Sequence, residues 1–243
     1  EMPHPLAAEL APTGTLRAAI NMSNFLLVTG KTESGDPEGV APSMAAALAE
    51  RLEVPVKYFP YPSPGELADS SAEDLWDVGF VGAEPQRATY VNFTAAYVEI
   101  EATYMVRGDS PFRSCADVDA SGVDIAVAAR AAYDLWLERN IANANLHRAT
   151  GLNGSFDLFV EKNMDALAGL RPRLIDDVKK VPGARLLEDK FTAVQQASCT
   201  KKGRDEGFKF LSAFIEEMKA NGSVQELIDK YGVTGRLSVA PPA

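Results

Sequence analysis

Apolar positions along the chain alternate between strand-length and helix-length patterns, and the alternation runs twice. Thr15–Ile20 alternates as a strand, and a long polar loop follows to Gly35. Pro42 sits in the first turn of a helix, where proline is tolerated, and Met44, Leu48 and Leu52 give it an apolar stripe. Val54–Phe59 predicts a strand broken by Pro60–Ser63, with a weak helix around Glu66. Trp76–Val81 predicts a buried strand, Glu84–Tyr90 a short helix and Val91–Thr94 an extended piece. Residues 99–107 alternate again before the break Gly108-Asp-Ser-Pro111. The pattern then restarts with strands at Val123–Val127, Leu146–Ala149 and Ala166–Leu170. Helices are predicted at Ala131–Asn140, at Phe156–Lys162 and from Pro172 to about Val181. Arg185–Leu187 and Thr192–Thr200 read as extended. Phe208, Leu211, Ile215 and Met218 mark a long helix ended by Gly222, and Ser223 is expected to cap a last helix through Tyr231. The tail through Pro12 has no period, and His4 within it is expected to be mobile.

This order predicts two α/β lobes with mostly parallel sheets. A first crossing near Gly108 and a return within 192–200 make the second lobe an insertion into the first. The expected division is 1–107 plus 202–243 for the first lobe and 108–201 for the second.

Composition narrows the function more than the fold. The 243 residues are 46% hydrophobic and 24% charged, and no apolar run approaches the roughly 20 residues of a membrane helix. A net charge of -10 argues against nucleic acid, which requires clustered Lys and Arg. With two His and two Cys, a Cys/His zinc site, an iron–sulfur centre and most thiol chemistry are disfavoured, so neither metal nor cofactor is expected. His147 reads as an exposed strand position. Cys115 and Cys199 are either two buried thiols or, in an exported protein, a pair. The chain begins at Glu1, which fits a mature or trimmed chain whose export signal has been removed. Gly30-Lys31-Thr32 suggests a phosphate loop, but Phe25 stands where that loop needs its first glycine.

Several segments together resemble one family. They are Gly14-Thr-Leu-Arg-Ala-Ala-Ile-Asn21, Gly39–Leu52, Trp76-Asp-Val-Gly-Phe80, and Glu84-Pro-Gln-Arg87 followed by Val91-Asn-Phe-Thr-Ala-Ala-Tyr97. Ile125-Ala-Val127 with Tyr133-Asp-Leu135, Asp165-Ala-Leu-Ala168 and Lys230-Tyr-Gly232 complete the set. Their order and spacing resemble the extracellular solute-binding proteins of family 3, the amino-acid receptors of ABC importers. The resemblance implies a type II periplasmic binding protein-like fold of two α/β lobes joined by two hinge strands. It implies a monomeric, non-enzymatic receptor that closes on a small-molecule ligand and delivers it to a membrane permease. The implied location is the periplasm, or the outside of the cell with a lipid anchor.

The same resemblance assigns candidate ligand contacts. Arg87 matches the arginine that grips the α-carboxylate, for which a planar guanidinium fork is suited. Arg130, Ala131 and Ala132 stand where the family commonly has Gly-Thr at a helix N-terminus, whose free N–H groups attract anions. Phe25 and Phe80 are candidate aromatic contacts, and Asn24 and Glu84 are polar neighbours. Two departures bear on the ligand. Leu170 occupies the place of the acid that holds the ligand's ammonium, and Arg171 follows it. Gly82 replaces the hydroxyl residue at the first-lobe strand end. Either Glu84 supplies the carboxylate and the ligand is an amino acid or derivative, or the ligand is an organic acid held by Arg87 and Arg171. A dehydratase of the cyclohexadienyl type, using Glu84, Glu99 or Glu101 as acid, and a sensor domain clipped from a membrane receptor are the rival functions.

Overall fold

The computed structural model describes residues 4–243. The opening of the tail, residues 1–3, lies outside the described residues. The chain forms two compact units, residues up to Glu99 with Gln195–Ala243, and Ile100–Val194.

The first unit opens with a short helix, α1 (Ala7–Leu10), then β1 (Leu16–Asn21), the two-residue strands β2 (Gly30–Lys31) and β3 (Pro37–Glu38), and α2 (Val40–Leu52). β4 (Val56–Tyr61), α3 (Pro64–Ser70), β5 (Val78–Gly82), a 3₁₀ turn at Arg87–Thr89 and β6 (Val91–Phe93) follow. The chain passes into the second unit inside β7 (Val98–Val106) and returns inside β12 (Thr192–Lys201). The helices α8 (Asp205–Ala220) and α9 (Ser223–Lys230) and the strand β13 (Ser238–Val239) close the first unit. Between the crossings lie α4 (Cys115–Val118), β8 (Asp124–Ala128), α5 (Ala132–Asn140), β9 (Asn145–Ala149), α6 (Gly151–Glu161), β10 (Ala166–Leu170), α7 (Arg171–Asp177) and β11 (Arg185–Leu186).

In the first unit β1 is flanked by β4 and β5, both parallel to it. The returning part of β12 runs antiparallel to β5, with Cys199 opposite Gly79. In the second unit β8 lies between β9 and β10, again all parallel, and β7 runs antiparallel to β10. Each unit thus has a parallel α/β core with antiparallel strands added, where a mostly parallel sheet was expected. Leu16, Ala18, Ile20, Met44, Leu48 and Leu52 are fully buried, which explains the stripe on α2 that packs on β1. A second cluster joins Ala19, Leu67, Trp76, Val81, Val91 and Cys199. In the second unit Phe159 of α6 and Leu174 of α7 pack on Met105, Ala126 and Leu167.

Register is set the same way in both units. Asp77, just before β5, accepts the Arg17 backbone N–H at 3.0 Å, while its own N–H donates to the Arg17 carbonyl at 2.9 Å. Asp165, just before β10, accepts the Asp124 N–H at 2.8 Å and donates its N–H to the Asp124 carbonyl at 2.9 Å. A carboxylate at the start of one parallel strand therefore pins the start of its neighbour. Asp77 is fully buried and also receives Arg17 Nη2 at 2.8 Å and Arg204 Nη1 at 3.0 Å, tying β1, β5 and the start of α8 together.

Several local expectations are corrected. The tail is structured from His4 onward. Leu10 is fully buried, and a Cβ on Gly207 of α8 would lie 2.8 Å from Leu10 Cδ2. His4 packs on Phe210 at 4.8 Å between ring centroids, and its Nδ1 accepts the Leu6 N–H. Pro60 lies inside β4 instead of breaking it, because β4 is an edge strand and needs no ladder bond from that nitrogen. The helix expected over Glu84–Tyr90 shortens to one 3₁₀ turn. Gly222, with φ 87°, takes the N-cap position expected of Ser223, which becomes the first helical residue of α9. The four-residue α4 gave no periodic signal, being shorter than any pattern window.

Replacing Asp77 with alanine takes the buried carboxylate away from Arg204 and leaves Arg17 dependent on the exposed Asp74. We expect about 3–5 kcal/mol of destabilisation. Urea titration read through Trp76, which is fully buried beside Asp77, is expected to show the loss. An unshifted midpoint would remove Asp77 as the anchor of the first unit.

Candidate functional site

Because β1 and β5 are parallel neighbours, the loops after their last residues leave the same edge of the first unit's sheet. In open α/β sheets that edge is where ligands bind. Asn24 and Phe25 lie in the loop after β1, and Gly82, Glu84 and Arg87 follow β5.

After Gly82 the chain is held by the Ala83 N–H on the Gln195 carbonyl at 2.7 Å. The 3₁₀ turn begins at Arg87. The Arg87 side chain folds back to the strand end, where Nη1 donates to the Gly82 carbonyl at 2.8 Å. Only 4% of Arg87 is exposed. It borders a small cavity whose other walls are apolar apart from Ser71, among them Leu67, Trp76, Val91, Phe93 and Cys199. A guanidinium in such surroundings is screened less by water than a surface one, so it attracts a nearby anion more strongly. Glu84, three residues earlier, is also buried, and its carbonyl accepts the Ala88 N–H at 2.9 Å.

Asn24 serves the loop backbone. Its Oδ1 accepts the N–H groups of Leu26 at 3.1 Å and Leu27 at 3.2 Å. Phe25, between buried Asn24 and Leu26, is half-buried, and the Arg236 guanidinium carbon stands 5.7 Å from its ring centroid. Phe80 is placed elsewhere. It is 2% exposed inside β5 and meets Tyr97 edge-on at 6.1 Å, as a core side chain.

In the second unit β8 and β10 are parallel neighbours, so the starts of α5 and α7 share an edge. Arg130 is exposed with φ 65°, a left-handed backbone that the family's glycine adopts without strain. Its N–H donates to Asp134 Oδ2 at 2.8 Å, and buried Asp134 is held in turn by Arg148 Nε at 2.9 Å. Ala131 is the N-cap of α5 and gives no side-chain hydrogen bond, while Ala132 opens the helix and is buried. Arg171 is taken up by the fold. Nε pairs with Glu101 at 2.8 Å, Nη1 donates to the Leu187 carbonyl at 3.0 Å, and Nη2 donates to the carbonyls of Glu188 and Asp189. Leu170, in the place of the family's acid, is 8% exposed.

Among the described residues no group of His, Cys, Asp and Glu could hold a metal ion, and no helix is long and apolar enough to cross a membrane. His147 Nε2 lies 2.8 Å from Asp124 Oδ1. Cys115 and Cys199 are free and buried, one in each unit. Arg236 is the site neighbour that sequence reasoning missed. It lies near the C-terminus, and no local pattern links it to Phe25.

The family model of bacterial extracellular solute-binding proteins, family 3, matches residues 18–234. The chain belongs to this family. Its fold is that of the type II periplasmic binding proteins. A putative binding component of an ABC transporter from Wolinella succinogenes, complexed with lysine, superposes with a TM-score of 0.74 at 19% identity, over 91% of this chain and 97% of that one. A cysteine-binding protein from Campylobacter jejuni gives 0.72 at 19% identity, over 94% and 92%. An ancestral amino-acid-binding protein, a precursor of cyclohexadienyl dehydratase, gives 0.73 at 20% identity, over 92% and 97%. No match was found among curated protein sequences. At these identities the structures establish the fold, and the family match establishes a solute-binding protein.

Burial pushes both thiols of this solute-binding protein up to about 12. At pH 8 the thiolate fraction is then roughly one in ten thousand. We expect Ellman's reagent to leave the native protein unlabelled and to titrate both thiols in denaturant. Rapid labelling of either thiol in the native state would contradict their burial.

Proposed function

We propose that this protein is the periplasmic receptor of an ABC importer, binding a small carboxylate-bearing solute, an amino acid or a derivative of one. The observation that carries this reading is Arg87. It is a buried cation at the carboxyl end of β5, braced by the Gly82 carbonyl and matching the family's carboxylate-binding arginine. An amino acid needs a second group for its ammonium. Leu170 offers none, and Glu84, buried next to the same strand end, is the carboxylate we assign to it. The organic-acid reading relied on Arg171 as a second cation. The engagement of Arg171 with Glu101 and three carbonyl oxygens weighs against that reading and in favour of an amino acid. Amino-acid binding in the names of the structural neighbours supports the same class. Delivery to a membrane permease follows from the family, as does export to the periplasm.

The dehydratase alternative keeps one point of support, the neighbour named as a dehydratase precursor. Of its proposed acids, Glu101 is paired with Arg171, which weighs against that role. Incubation with prephenate is expected to show no turnover.

A thermal-shift screen of the twenty L-amino acids, with succinate and citrate as organic-acid controls, tests the ligand class. A ligand at 100 times its dissociation constant adds about 2.7 kcal/mol of stability. Arg87→Ala is expected to weaken the tightest binder by roughly 3–5 kcal/mol in calorimetry, the scale for stranding one member of a buried ion pair. Unchanged affinity would exclude Arg87 from the site. Glu84→Gln is expected to weaken amino acids selectively. Equal affinity of the unsubstituted protein for an amino acid and its deaminated analogue would reject the ammonium contact.

A further inference from the structure

The family match ends at residue 234, and the chain continues for one more structured segment. That segment is fastened at many points to the first unit. Thr234 Oγ1 donates to Asp229 Oδ1 at 2.7 Å, and the Arg236 N–H donates to the Val233 carbonyl at 3.0 Å. Gly235, at φ 79°, makes the turn between them. Leu237 is buried, Val239 pairs with Val98, and the Ala240 N–H donates to the Tyr97 carbonyl at 3.0 Å. Lys219 Nζ then donates to the carbonyls of Pro241 at 3.0 Å and Ala96 at 2.9 Å, and the Ala243 N–H donates to Glu216 Oε1 at 2.9 Å. The segment is therefore a strap fixed at both ends, and the turn at Gly235 sets Arg236 over the ring of Phe25 at 5.7 Å.

Phe25 needs such a support. The loop after β1 is anchored by the side chains of Leu26 and Leu27, both buried, and by the Asn24 Oδ1 bonds to their N–H groups. These contacts fix the backbone on either side of Phe25, and Arg236 meets its half-buried ring. A guanidinium within about 6 Å of a ring centroid is held against the ring face. Arg236 does this from a strap whose own position is set by the start of β7 and the end of α8.

We propose that Arg236 is a positioning residue for Phe25. It covers one face of the ring, steadies the loop Asn24–Val28 and leaves the rest of the ring to the solute. The effect on affinity rests on the reading of Phe25 as a ligand contact; the effect on the loop does not.

Two measurements on the full chain separate these. Hydrogen–deuterium exchange of the peptide covering residues 22–29 reads the loop without any ligand. Arg236→Ala is expected to raise its exchange about threefold to fivefold, the scale of an exposed cation–π contact, while α8 exchanges as before. Arg236→Lys, which keeps a cation over the ring, is expected to restore most of the protection. Unchanged exchange in Arg236→Ala overturns the proposal, and so does equal deprotection by alanine and lysine. Calorimetry with the tightest binder among the twenty L-amino acids reads the site. A matching affinity loss in Arg236→Ala and Phe25→Ala supports positioning for binding. Faster loop exchange with unchanged affinity in both variants upholds Arg236 as the loop's support and rejects Phe25 as a ligand contact.

Discussion

The first unit depends on one buried carboxylate. Asp77 lies where β5 begins and holds Arg17, where β1 begins, through both backbone and side chain. Because side chains alternate along a strand, a slip of one residue would exchange the two faces of β5 and misplace all five of its buried residues. The Asp77–Arg17 lock forbids that slip at one end of the strand pair. The opposite end, Gly82, then falls where its carbonyl can brace Arg87 and where the chain can turn to place Glu84 beside it. The chemistry of the candidate site thus inherits its geometry from an interaction at the far end of the same strand.

The second unit repeats the device with Asp165 and Asp124, and there the far ends of the pinned strands lead into α5 and α7. The two units use those ends differently. In the first, a buried guanidinium and carboxylate gather at the strand end. In the second, Asp134 and Arg171 are engaged in holding turns, and Leu170 closes the strand end with an apolar side chain. On the proposed reading, an amino acid is held mainly through the first unit's charges, despite the departures from the family pattern in the second.

The surroundings of the buried reactive groups hold them in their neutral forms. Burial keeps both thiols protonated, Cys199 within the apolar cluster and Cys115 beside Thr103 and Asp189. The Tyr97 phenol, fully buried against Phe80, is pushed above its ordinary range for the same reason. These side chains serve packing. The net charge of -10 is likewise uninformative about the ligand, because a placed cation such as buried Arg87 outweighs a diffuse negative field at contact distance.

The alternating α/β order, the stripe on α2, the helix stop at Gly222 and the candidacy of Arg87 were legible in the amino-acid sequence. Each is written in local spacing, and the order of motifs from Gly14 to Gly232 carried the family. The expected mobility of His4 and the break at Pro60 failed because tertiary neighbours decided them: Phe210 for His4, and an edge position in the sheet for Pro60. The engagement of Arg171 by Glu101 and the 187–189 carbonyls was equally invisible, since those partners are remote in sequence. So was Arg236, beyond the family's pattern, brought onto Phe25 by a strap that pairs with Val98. Sequence by itself determined which elements form and which cation was available for a carboxylate. Only the tertiary structure decided which charged groups are consumed by the fold, because a hydrogen bond between distant residues leaves no periodicity to read.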